Sequence, residues 1–132
     1  MLKILIAGGF DEGSADQERQ FQEFSEALGA GVIKHGHVLL SGCKTPFDAM
    51  VAEAAYRCAR EAQESDSANR VISYVLSGQK PVHTFGTVLR SQLADWDIGG
   101  EARLYVPETI QQADVVVLVG GFDGTYRAAK EP

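Results

Sequence analysis

Two cysteines, one tryptophan, four prolines and a shortage of positive charge mark what this sequence has little of. Cys43 and Cys58 are too few and too far apart for a disulfide framework or a zinc site, and they read as reduced thiols of a cytoplasmic protein. His35, His37 and His83 show no metal-ligand spacing, so neither a metal nor a resident cofactor is expected. Twelve Lys and Arg stand against 18 Asp and Glu, giving a net charge of −6. That balance argues against a nucleic-acid partner or an anionic membrane surface, while leaving room for a small basic pocket. No apolar run approaches the ~20 residues that a membrane span needs. The N-terminal MLKILIAGGF is not a signal peptide, because its apolar core is short and Asp11 and Glu12 follow it. What is present is an ordinary 45% of hydrophobic residues in 132, enough to bury one core in a single domain over 1–132.

The apolar residues are grouped in short runs that alternate with helical patterns. Lys3–Ala7 reads as a buried strand feeding Gly8-Gly9. Ser14 and Gln17 form a capping-box pattern, Phe21, Phe24, Ala27 and Leu28 recur at helical spacing, and Gly29 and Gly31 are expected to close that helix. His37–Leu40 is a second strand ending at Ser41-Gly42. Thr45 and Pro46 then supply an N-cap and a first helical residue for an alanine-rich helix. Residues 71–76, VISYVL, form a third strand. Residues 77–106 are the least readable: a loop, a short strand or helix, and a fourth strand near Arg103–Val106 are expected there. PETIQQAD gives one short helix, Val115–Val119 the last strand, and Gly124–Lys130 the start of a last helix.

Strands alternating with helices, several of them apolar on both faces, predict an α/β domain: a Rossmann-like parallel sheet with helices on both faces. The last helix has little room before Pro132. The flank of the last strand would then be bare, and we expect a truncated domain, with further chain downstream or a second copy covering that flank.

Three glycine-bearing loops fall at the carboxyl ends of strands, where sheets of this kind bind ligands. Gly120-Gly121-Phe122-Asp123-Gly124-Thr125 lets the backbone approach a ligand and opens a helix whose free N–H groups favour an anion, although a plain strand-to-helix turn uses the same residues. Gly42, Lys44 and Thr45 offer a second cradle. Asp48 suits the helix dipole in its first turn, whereas Glu53, among alanines, calls for a partner. Gly8-Gly9-Phe10 resembles half of a dinucleotide fingerprint, with Gly13 a residue late for the third glycine; Phe10 could stack on a base, although a loop phenylalanine is more often simply half-buried. Arg90, Arg103 and Arg127 are the candidate anion clamps, guanidinium being the bidentate partner of phosphate, with surface exposure the better reading of Arg90. Trp96 suits a lid or an interface as well as a core, and His83 could line the pocket rim, although an ordinary structural role is the better reading.

Taken together, ILIAGG, LLSGCKTPFDAMVAEAA and ADVVVLVGGFDGTYRAA resemble the LOG-like, or SLOG, superfamily over nearly the whole chain. That resemblance implies a Rossmann-like fold handling nucleotides or ADP-ribose-type molecules, commonly as a homo-oligomer. The enzymes of that family carry PGGxGTxxE, with a catalytic glutamate after Gly-Thr. Here Val119 stands in place of the proline, and Tyr126, Arg127, Ala128 and Ala129 follow Gly124-Thr125 with no carboxylate. The departure points to the sensor branch. The expected function is therefore a domain that binds a nucleotide-derived second messenger, of ADP-ribose or cyclic ADP-ribose type, and regulates a linked effector in bacterial defence or stress. The alternative is a nucleotide N-glycosidase or a deoxyribosyltransferase-like enzyme, with Glu53, Asp48 or Asp123 supplying the acid.

Overall fold

The computed structural model describes residues 1–9, 15–63, 65–76, 78–91 and 108–120. Ser14, Phe10, Trp96, Arg103, Gly121, Asp123, Gly124, Thr125 and Arg127 lie outside them, as do the expected strand near 103–106 and the helix from 124.

Five strands form one sheet: β1 (Lys3–Gly8), β2 (Val38–Ser41), β3 (Val71–Leu76), β4 (Thr87–Ser91) and β5 (Val115–Val119). Their order is β4-β3-β2-β1-β5, and every pairing is parallel. The helices are α1 (Ala15–Lys34), α2 (Pro46–Glu61) and α3 (Glu108–Gln112), with a 3₁₀ turn at Ser67–Arg70. Side chains alternate between the two faces of each strand, and this alternation sorts the core into two layers. Ile4, Ile6, Leu39, Val71, Val117 and Val119 lie with Val32, Ile33, Phe47, Val51 and Ala55 of α1 and α2. Leu5, Ala7, Val38, Leu40, Ile72 and Val116 lie on the other face with Ile110 of α3. Helices therefore cover both faces, as the alternating runs predict. β4 falls inside the segment that the sequence left least resolved.

Strand limits shift by a residue from the sequence reading, and the largest difference is at the end of α1. Gly29 and Gly31 do not end α1; the helix continues to Lys34. Gly29 is buried where α1 crosses α2, and a Cβ there would collide with the Val51 carbonyl oxygen. It is small because two backbones meet. The terminating glycine is Gly36, at φ +80°, and the amides of Gly36 and His37 reach back to the carbonyls of Ile33 at 3.0 Å and Val32 at 3.0 Å. That is the Schellman closure, which satisfies carbonyls the helix leaves open. Buried Arg70 completes the end: its Nη2 donates to the Ile33 carbonyl at 3.1 Å and to the His37 carbonyl at 2.8 Å, a cation where the helix dipole is negative.

Candidate functional site: the carboxyl rim of the sheet

The strand order runs outward from β1 in both directions, with β2 on one side and β5 on the other. Because β5 comes last in the chain, the winding reverses between β1 and β5. At such a reversal the connections leave toward opposite faces and open a crevice beyond the carboxyl ends of the strands. All strands being parallel, the loops after β1, β2 and β5 leave from the same edge. The structure thus brings Gly8, Gly9, Gly42, Lys44, Thr45 and Gly120 to one rim.

Gly8 and Gly120 are at that rim for backbone reasons. Gly8 has φ +135° and pairs with Val119; a Cβ on it would strike the Val119 carbonyl oxygen. Gly120 has φ +68°, and a Cβ on it would strike the carbonyl oxygen of Gly9. The first and last loops therefore lie backbone against backbone, an approach only glycine permits.

The second loop is built differently. Thr45 caps α2: its Oγ1 accepts from the Asp48 amide at 3.1 Å. Asp48 closes the box in return, its Oδ2 accepting from the amides of Lys44 at 2.9 Å and Thr45 at 3.1 Å. Asp48 is buried, and burial pushes its carboxyl above the ordinary aspartate range against the opposing pull of these hydrogen bonds and of Lys44. Partial burial lowers the Lys44 ammonium, partly offset by the Asp48 charge.

These bonds correct the expectation that the loop amides wait for an anion. The amide of Gly9 donates to the Val119 carbonyl at 3.1 Å, and those of Lys44 and Thr45 are engaged by the Asp48 carboxylate. A carboxylate already holds the N-terminal end of α2, where a phosphate would otherwise be favoured. Gly9 and Gly42 can shape the rim, while Lys44 and the Thr45 hydroxyl supply side-chain chemistry. Glu53 lies elsewhere: it is exposed on α2, and its Oε1 accepts from Arg57 Nη2 at 3.0 Å, an i,i+4 pair on a solvated face. The partner that the sequence demanded of Glu53 is therefore a neighbouring arginine. Arg90 is exposed and donates to the Gln79 carbonyl.

His83, which the sequence presents chiefly as a structural residue, has partners that the sequence does not disclose. It is buried, and its Nε2 lies 3.2 Å from Ser41 Oγ. The Phe85 amide donates to its Nδ1 at 3.2 Å, which assigns the hydrogen to Nε2 and makes Ser41 the acceptor. Burial lowers the imidazole below its ordinary value, keeping it neutral. Ser41 Oγ also accepts from the Cys43 amide at 3.1 Å, and Cys43 Sγ donates to the His83 carbonyl at 3.3 Å. Cys43 sits at φ +56°, unusual for a residue with a side chain, and these bonds hold it there. The segment before β4 is thereby fastened beneath the β2–α2 loop. No sequence signal pairs residues 42 positions apart in a stretch without periodicity.

No known family pattern matches the chain, and neither does any curated protein. Solved structures do. The molybdenum cofactor carrier protein MCP from Chlamydomonas reinhardtii superposes with a TM-score of 0.64 at 20% identity, over 98% of this chain and 68% of that one. The protein TM1055 superposes with a TM-score of 0.62 at 18% identity, over 98% of this chain and 67% of that one. The fold is Rossmann-like. Each neighbour extends beyond the part matched here. Among the described residues no helix is long and apolar enough to cross a membrane, and no group of three or more His, Cys, Asp or Glu side chains is placed to hold a metal.

Proposed function

We propose that this chain is a binding module of the LOG-like superfamily for a phosphate-bearing, nucleotide-derived small molecule. The observation that carries the reading is the reversal of strand order between β1 and β5, with the Gly8-Gly9, Gly42–Thr45 and Gly120 turns gathered on one edge. In this reading the phosphate lies over the β1–β5 end of the rim, completed by residues 121–127, with Arg127 and Arg103 as its clamps and Phe10 against the base. The β2–α2 end, already neutralised by Asp48, faces the less charged part of the ligand. The finer proposal is a sensor of an ADP-ribose or cyclic ADP-ribose type of messenger. It would act in the cytoplasm as a homo-oligomer and transmit its state to an effector joined downstream.

The N-glycosidase reading needs a carboxylate poised at the rim. Of its candidates, Glu53 is paired on the solvent face and Asp48 is occupied in capping, so support for hydrolysis is thinner. The likeness to a cofactor carrier favours a variant of the binding reading, in which the bound molecule is a phosphorylated cofactor conveyed rather than sensed.

Calorimetric titration with AMP, ADP-ribose and its cyclic isomers tests the reading. Saturable binding of at least one, weakened at least tenfold by Arg127→Ala, is expected. Absence of binding by all of them at millimolar concentration overturns the nucleotide reading. Release of free base during the same incubations would replace it with the enzyme.

A further inference from the structure

We infer, on the nucleotide reading above, that Asp48 is a specificity-determining residue: the β2–α2 end of the rim takes unphosphorylated sugar hydroxyls and rejects a second phosphate. The ligand class narrows accordingly to a nucleotide that carries phosphate on its 5′ side only.

Several features of the β2–α2 loop would by themselves favour an anion. The amides of Lys44 and Thr45 lie at the head of α2, the helix dipole is positive there, and the exposed Lys44 brings an ammonium group. Among the described groups of this loop, the Asp48 carboxylate opposes them. It is 8% exposed, and its Oδ2 takes both amide hydrogens, at 2.9 Å from Lys44 and 3.1 Å from Thr45. Gly42 lays that carboxylate open to the rim. The glycine is half-buried, and beyond its chain neighbours a Cβ on it would meet one atom within 4 Å, Asp48 Oδ2 at 3.8 Å. A ligand atom resting on Gly42 therefore meets the carboxylate before it meets the loop amides.

An ionised carboxylate accepts hydrogen bonds and donates none. Both amide bonds end on Oδ2, so the amides make no use of the Oδ1 lone pairs. A sugar hydroxyl can donate to that oxygen, whereas a phosphate in its place sets like charges against each other. The spacing of the sheet selects the sugar. β1 and β2 are adjacent strands, which stand about 4.8 Å apart. With the phosphate over the β1–β5 junction, the next strand along meets the group bonded to the phosphate, and the base lies further out.

Calorimetric titration with AMP, adenosine 2′,5′-bisphosphate and adenosine 3′,5′-bisphosphate tests this. The unaltered protein should bind AMP about tenfold or more tightly than either bisphosphate. Asp48→Asn keeps an oxygen for the two amides and removes the charge, leaving Lys44 and the helix dipole unopposed. The preference for AMP should then shrink by about tenfold or reverse. A bisphosphate that binds the unaltered protein as tightly as AMP overturns the role of Asp48 while the nucleotide reading stands. So does a preference for AMP that survives Asp48→Asn in full. Absence of binding by all three overturns the role of Asp48, and the nucleotide reading falls with it if ADP-ribose and its cyclic isomers fail as well.

Discussion

His83 shows how one buried side chain can set the acid sensitivity of a rim. Its folded value is lowered by burial, so protonation is harder in the native state than in the unfolded chain. A depressed value contributes stability above the unfolded value of 6.5, and that stability is lost as pH falls through the folded value. Urea midpoints measured between pH 7.5 and pH 5 should fall for the unaltered protein. They should fall less for His83→Gln, whose amide can donate to Ser41 without titrating. Asp48 has the opposite slope, since its raised carboxyl favours the protonated native state as pH drops. Comparing the two proteins cancels that contribution, and equal slopes would show that His83 is not the acid-sensitive group. At this scale the sequence is legible where partners are neighbours. Thr45 and Pro46 announce their helix start because the bonds that define a cap lie within four residues. Asp48 is legible as a dipole acid, but the use of its carboxylate on two loop amides is not. The role of His83 is not legible because its partner Ser41 is placed by the fold alone.

The α1–α2 pair supplies a test at the scale of elements. Alanine is the better helix former by about 1 kcal/mol, so a glycine-to-alanine change in open space should stabilise a helix. Gly31 meets nothing within 4 Å of its ideal Cβ, whereas Gly29 faces the Val51 carbonyl of α2. Gly31→Ala should raise the unfolding free energy by about 0.5–1 kcal/mol. Gly29→Ala should lower it by about 1–3 kcal/mol, because α1 must lift from α2. Denaturant unfolding of both variants reads the two signs, and a stabilising Gly29→Ala would mean that the helices do not touch there. The same pair explains why α1 was read short. A glycine in a helical pattern looks identical whether it ends the helix or admits a neighbour, and only the crossing of two elements distinguishes the cases. β4 was hard to place for a related reason. Its residues include exposed Leu89 and Arg90, so it lacks the alternation that marks a half-buried strand.

Across the whole molecule, the sequence yields the class of fold and the common edge at which the loops after β1, β2 and β5 leave the sheet. Short apolar strands ending in glycine turns have few parallel arrangements open to them. The strand order was not legible, because nothing in Val115–Val119 says that it pairs with Lys3–Gly8 rather than with its predecessor. Gly8→Ala tests that junction. Its φ of +135° and the nearby Val119 carbonyl oppose any side chain, so a loss of about 2–4 kcal/mol is expected in equilibrium unfolding. A neutral result would show that β1 and β5 do not approach at Gly8.

That junction also orders events in time. A strand near the beginning of the chain becomes interior only when one made roughly a hundred residues later arrives beside it. At about 5–20 residues per second, a ribosome leaves one margin of the nascent sheet unpaired for several seconds or longer. Polypeptides interrupted before Val115 would keep that open border, which invites pairing with other chains and makes them clients for chaperones.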